Sequence, residues 1–204
     1  MKVTLFVTSY KQICESFQLE FGLKSPKEGV YIGQGKNKYF RVLLVPNDKV
    51  KSTVILSEYL ALNKDTVEKI VVVNPVNCPD PNVKMGTFIF GDKVTEWDRS
   101  IRDTSIYKLQ SFSGIETKYI EGQCISGDRE CVNKTTPILQ SKMVDTVTYP
   151  VAVTTSYYNK PISSIGIVAD WCTPRFSTAS LSNIREFSSH IVGLVKNNQT
   201  IILG

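Results

Sequence analysis

The stretch "SSIGIVADWCTPR" (residues 163–175) decides how this chain is read. Ile165 to Ala169 is an apolar run with no polar alternation, which suits a strand buried on both faces of a mainly parallel sheet. The run ends abruptly at a carboxylate, Asp170, and Trp171, Cys172 and Pro174 follow. A carboxylate in that place is either a turn residue that caps the strand or an acid at the mouth of a sheet. The surrounding elements bear on which.

"VTLFVTS" (3–9) and "KIVVVNP" (69–75) are two more apolar runs of the same kind. Between them the first is followed by a helical stretch with Ile13, Phe17 and Leu19 among polar residues. "VYIG" (30–33) and "YFRVLLVP" (39–46) flank "QGKNK", a turn-rich loop that predicts a hairpin. "VKSTVILSEYLALN" (50–63) places Val54, Ile55, Tyr59 and Leu62 at helical spacing. "GTFIFGDKVTEW" (86–97) and "TKYIEGQCISGD" (117–128) read as strands, the second entering a Gly-Asp turn; "TEWD" (95–98) has the look of an exposed loop. "TTPILQSKM" (135–143) reads as a short helix with Pro137 near its start, where proline is tolerated. "VAVTTSYYNK" (151–160) reads as a helix before the strand at 162–169, with Tyr157 and Tyr158 packing on the sheet. A last helix starts near Asn183, with Glu186 completing a capping box. In it Leu181, Ile184, Phe187, Ile191 and Leu194 recur at core spacing and His190 sits partly exposed. Helices alternate with strands throughout, which predicts an α/β fold: one domain over 1–204 with a mixed central sheet flanked by helices.

Composition excludes several classes. The chain has 204 residues, is 42% hydrophobic and 21% charged, and carries a net charge of +5. That is ordinary for a globular domain. Its basic residues are scattered; the densest groups, "KSPK" (24–27) and "GKNK" (35–38), read as loops, so nucleic acid is not the expected partner. Five cysteines at irregular spacing and a single histidine, His190, give no zinc motif, so neither a metal nor a cofactor is expected. The thiols are expected to be reduced and mostly buried. The N-terminus lacks the apolar length of a signal peptide, and no run approaches a membrane span. The expected compartment is the cytoplasm.

The local sequences also resemble a known family. "MKVTLFVTSYKQI" (1–13), "NPVNCPDPNVKMGTFIFGDKVTEWD" (74–98), "GQCISGDREC" (122–131) and "VDTVTYPVAVTTSYYNKPISSIGIVAD" (144–170) follow one another in the order and spacing of the nucleoside phosphorylase and nucleosidase superfamily. The likeness is greatest to the small hydrolases of methylthioadenosine and adenosylhomocysteine. It spans most of the chain, and its weight lies in order and spacing rather than in any one motif.

The resemblance implies cleavage of an N-glycosidic bond to a purine, a nucleoside or related small molecule as ligand, and homo-oligomers. It implies Asp170 as the acid that protonates the departing base, since an apolar strand end raises a carboxyl pKa. Other positions depart from the pattern. The water-activating glutamate falls on Gln12, and glutamine orients water but cannot take its proton. The ribose-holding segment falls on Asp145, Thr146, Val147 and Tyr149, with valine where the family has its glutamate. The base-stacking aromatic falls on Glu130. The Gly-rich loop has become "NPVNCPDPN", whose prolines lack N–H donors. A phosphate site would have only Arg99 and Arg102 nearby. The expectation is therefore a member with a degenerate site that binds at most a nucleoside-like ligand or a protein. The alternative is an active hydrolase with Asp170 as acid, Asp145 on the sugar and Gln12 positioning water.

Overall fold

The computed structural model describes residues 2–27, 29–34, 39–97, 105–127, 140–172 and 181–203. The three apolar runs become adjacent parallel strands. β1 (Val3–Thr8) pairs with β5 (Val67–Cys78), and β5 pairs with β10 (Ile162–Trp171). Every residue of β1, and Ile162 to Ala169 of β10, is buried. Such strands are stable only when helices cover both faces, and they do.

On one side of β1 the predicted hairpin forms. β3 (Val30–Gln34) runs antiparallel to β4 (Tyr39–Leu44), and β4 lies parallel to β1. "KSPK" is not a loop: it forms an edge strand, β2 (Lys24–Lys27), antiparallel to β3, and an edge is where a proline is tolerated. On the other side the sheet curls. β6 (Phe88–Glu96) runs antiparallel to β10, β8 (Tyr119–Ser126) parallel to β6, and the short β7 (Tyr107–Lys108) pairs with β6. A strand that the sequence reading missed, β9 (Met143–Asp145), joins β8 in parallel and returns to β5 through Asn77. β5, β10, β6, β8 and β9 thereby close a ring. Met143 helps fill it: a Cβ on Gly91 would stand 2.8 Å from its Cε, and one on Gly166 3.0 Å from its Sδ. Glycine at both positions makes room for this flexible side chain.

Two apolar layers hold the helices. α2 (Lys49–Asn63) and α3 (Thr148–Tyr157) bury Leu56, Leu60, Val151 and Ala152 on one face of the sheet. α1 (Lys11–Phe21) and α4 (Leu181–Asn197) bury Ile13, Phe17, Phe187, Ile191 and Val195 on the other. The short α5 (Gln199–Ile202) closes the chain against that second layer. Asp48 caps α2 by accepting from Lys51 N at 2.7 Å. Gly22 ends α1 in the left-handed region (φ 63°), where its N–H reaches Gln18 O.

Several local expectations are corrected. The buried stripe of α2 is Ser52, Leu56 and Leu60, so Val54 and Leu62 face outward. Leu19 also points outward from α1. Asn183 lies inside α4, which begins at Leu181, so it is not the cap. Tyr157 is exposed, while Tyr158 packs against α2 and donates to Ser57 O at 3.1 Å. Glu96 is no loop residue; it is buried at the end of β6 and paired with Lys49 Nζ at 2.6 Å. His190 is exposed on α4, as expected. Cys14, Cys78 and Cys124 are free and buried, but Cys172 is disulfide-bonded, so full reduction does not hold. Most of the helix expected at 135–143 lies outside the described residues, as do Glu130, Arg99, Arg102 and Cys131. Among the described residues no helix is long and apolar enough to cross a membrane.

Candidate functional site

One group of buried polar residues gathers where β1, β5, β8 and β9 end or bend. Thr8, the last residue of β1, is buried and donates through Oγ1 to Asn74 Oδ1 at 2.9 Å. The next backbone N–H, of Ser9, donates to the same oxygen at 3.1 Å. Tyr10 N then donates to Thr8 Oγ1 at 3.2 Å, and α1 begins. Asn74 itself is 2% exposed and sits mid-way along β5. One side chain on the central strand thus fixes the exit of the first strand.

Asp145 ends β9 and is the centre of the cluster. Its Oδ1 accepts from Ser126 Oγ at 2.5 Å, and its Oδ2 from Thr148 Oγ1 at 2.5 Å. Thr148 N donates to both oxygens at 3.1–3.2 Å, so Asp145 caps α3 three residues ahead of its first turn. Ser126 Oγ in turn accepts from Tyr149 N at 2.9 Å. Ser126 and Thr148 are fully buried. Burial raises the carboxyl pKa of Asp145 above its ordinary value, and the hydrogen bonds from Ser126, Thr148 and Asn74 pull the other way. Cys124, wholly buried beside it, has a thiol pKa pushed well up, by burial first and the Asp145 charge second. The Tyr10 phenol pKa is raised by burial and then by the same charge.

Two clefts flank this cluster, one on each side of α2. The larger, about 640 Å³, runs between α2 and the β3–β4 hairpin and takes in Ser9, Lys11, Val45 and Tyr59. The smaller, about 450 Å³, lies between α2, α3 and β6–β7. There Tyr149 and Tyr107 meet edge to face at 5.7 Å above the Lys49–Glu96 pair. Ser9 borders one cleft and Tyr149 the other, and each is tied to the cluster through its backbone N–H; the side chains of Asn74, Ser126, Asp145 and Thr148 line neither cleft.

The structure brings together only part of the site read from sequence. Asp145 and Tyr149 belong to the cluster. Thr146 is half-buried in the turn between β9 and α3, while Val147 is wholly buried in the α2–α3 layer. Gln12 is half-buried in the first turn of α1, two residues after Tyr10. Asp170 lies inside β10 rather than beyond its end, just past a bulge in the pairing with β5. Its Oδ1 accepts from its own neighbour, Trp171 N, at 2.8 Å. Asn77 of β5 faces Val144 on one side and Asp170 on the other. At about 4.8 Å per strand spacing, the backbones of β9 and β10 stand roughly 10 Å apart there. Asn74, Ser126, Thr148 and Tyr10 are members that sequence reasoning missed. The asparagine interrupting "IVVV" was the one available signal, because a polar residue within a buried strand must find partners. Among the described residues no three His, Cys, Asp or Glu side chains gather as metal ligands.

A mixed sheet closed into a ring at one end, with helices on both faces, is an architecture this chain shares with solved nucleosidase structures. Apo 5'-methylthioadenosine nucleosidase of Arabidopsis thaliana matches with a TM-score of 0.85 at 15% identity, over 100% of this chain and 98% of that one. Streptococcus pneumoniae 5'-methylthioadenosine/S-adenosylhomocysteine nucleosidase, bound to the transition-state inhibitor MT-ImmA, gives 0.83 at 11% identity, over 99% and 100%. Helicobacter pylori futalosine hydrolase gives 0.82 at 12%, over 98% and 99%. No protein-family model matches the chain, and no curated protein sequence matches it. At these identities the likeness is one of fold.

Proposed function

We propose that this protein binds a nucleoside or nucleoside-derived small molecule at the Asn74–Asp145 cluster and does not hydrolyse it. One observation carries the reading: the cluster's single carboxylate, Asp145, is engaged in holding α3 and Ser126. A general base needs a lone pair within reach of the proton it takes. Asp145 spends most of its four acceptor sites on protein donors. Gln12 cannot accept a proton, and Val147 offers the core a hydrocarbon where a second carboxylate would be needed. What remains is a buried donor and acceptor set flanked by two clefts, which is binding apparatus.

The second reading is an active nucleosidase, favoured by the position of Asp170 one strand from β9. Asp170 would protonate the base, Asp145 would hold the sugar and Gln12 would orient water. The two part in one assay. Purified protein is incubated with purine nucleosides, with and without phosphate, and free base is measured by chromatography. The binding reading expects a thermal shift without base release. Release that disappears in Asp170→Asn would overturn it.

The proposal includes a homo-oligomer. α2 carries exposed apolar side chains along its length, Val50 (72% exposed), Val54 (49%) and Leu62 (86%). Exposed apolar side chains along one helix suit a contact surface, and a second copy covering α2 would enclose both clefts.

A further inference from the structure

A third cleft opens at the other end of the sheet. Lys69 lies near the start of β5, five residues before Asn74, so at about 3.3 Å per residue it stands roughly 16 Å from the polar cluster. The pairing of β5 with β10 sets Ile162 beside Ile70 and Ser163 beside Val71. Side chains alternate along each strand, so Lys69 and Ser163 emerge on one face, the α1–α4 face that Val71 helps to build. The segment leaving β7 crosses there, held by Gln110 N donating to Ile162 O at 2.7 Å. The result is a cleft of about 210 Å³ among Lys69, Ser163, Gln110, Ser111 and Ser113. Phe112 and Ile201 supply its apolar side.

Two features say what the cleft takes. Ser163 is 4% exposed, yet it lines the cleft, and its hydroxyl makes no hydrogen bond among the described residues. A buried hydroxyl without a protein partner needs a solvent or ligand atom to complete it. The lining also holds an ammonium, an amide and three hydroxyls but no acidic side chain. Each larger cleft, by contrast, sets a lysine with a glutamate, Lys11 with Glu58 in one and Lys49 with Glu96 in the other. An ammonium can only donate, and the hydroxyls and the amide can each turn a donor inward. Donors to an anion make the shorter and stronger class of hydrogen bond. Volume narrows the choice further, because pockets for drug-sized ligands run from about 300 to 1,000 Å³ and this one is smaller. We infer that the cleft is a site for a tetrahedral oxyanion, phosphate or sulfate as the free ion or the phosphoryl group of a small monoester, held by Lys69, Ser163 and Gln110. The site shares no residue with the Asn74–Asp145 cluster and does not depend on the nucleoside reading.

The test uses the full chain and isothermal titration with sodium phosphate, sodium sulfate and sodium acetate at constant ionic strength, chloride making up the balance. Ribose 5-phosphate and D-ribose form a second pair. Phosphate and sulfate should bind, and acetate should bind about tenfold more weakly or worse, because two oxygens leave donors of the cleft unmet. Lys69→Gln and Ser163→Ala should each weaken phosphate by about tenfold or more, while Lys69→Arg keeps most of the binding. Ser163→Ala removes a single oxygen, so it reads the site even if Lys69→Gln folds poorly. Tighter binding of ribose 5-phosphate than of phosphate supports the inference with a monoester as the source, and equal or weaker binding supports it with the free ion. Equal response to all three anions means an ionic-strength effect only and overturns it. Phosphate bound as tightly by Ser163→Ala and Lys69→Gln as by wild type lies elsewhere on the protein and overturns it, as does D-ribose bound as tightly as its phosphate. The absence of any anion binding also overturns it and leaves the nucleoside reading untouched.

Discussion

Replacing Asp145 with alanine removes the acceptor for three buried donors. The Ser126 and Thr148 hydroxyls can turn: Ser126 Oγ keeps Tyr149 N as its own donor, and Thr148 Oγ1 has Ser164 Oγ at 3.4 Å. The Thr148 N–H cannot turn, and losing that cap costs about 1–2 kcal/mol. Poorer re-pairing of the two hydroxyls adds about 0.5–1 kcal/mol each. The total is roughly 2–4 kcal/mol, which for a chain of this length lowers Tm by about 5–15 °C. Asp145→Asn should cost less than half as much, because its carbonyl oxygen still accepts from Thr148 N and one of the two hydroxyls, while its amide nitrogen donates to the other hydroxyl. The pH dependence adds a second handle. Burial raises the folded-state pKa of Asp145 above the unfolded value. The folded state then holds the proton longer, so wild type loses stability as pH climbs from the ordinary carboxylate range through the raised value. Asparagine lacks this loss, so the wild-type advantage over Asp145→Asn should shrink as pH rises through that window and stay level above it. Thermal melts followed by circular dichroism between pH 4 and pH 8 measure both effects. An alanine variant within a degree of wild type, or an advantage that grows with pH, would refute the account of Asp145 as a buried, helix-holding carboxyl.

Three further outcomes follow from the packing and the surface. Gly166→Val places a Cβ 2.9 Å from Val76 Cγ2 inside the ring, so it should cost about 1–3 kcal/mol by overpacking, read as a lower urea midpoint. Phe6→Ala empties the centre of the Phe6–Phe17–Phe40 cluster, whose rings lie 5.0–5.6 Å apart; a loss of about 3–5 kcal/mol is expected in the same titration. A Val50→Lys, Val54→Lys double variant should sediment as a monomer with an unchanged far-ultraviolet spectrum if α2 is the subunit contact, and as the wild-type species if it is not.

The sequence determined the fold class and the central strands, because strands buried on both faces write apolar runs at 3–8, 70–73 and 165–169 that local composition reveals. The resemblance in order and spacing also drew attention to Asp145, Tyr149 and Asp170. The sequence could not reveal β9, a three-residue strand whose existence depends on partners 19 and 67 positions away. It misread the buried stripe of α2, because Val54 and Leu62 have the hydropathy of core residues and only neighbouring elements decide which helix face meets the sheet. The roles within the site were likewise left to tertiary structure. Asp170 drew attention as the carboxylate that ends an apolar run, yet the fold spends its Oδ1 on the adjacent Trp171 N–H and builds the polar centre around Asp145 instead. Asn74, a single polar letter in an apolar strand, acquired meaning only when Thr8 and Ser9 fixed its oxygen and left its nitrogen facing the cluster. Hydropathy is a property of residues and survives in the sequence, whereas hydrogen-bond direction is a property of pairs and exists only once distant strands are brought together.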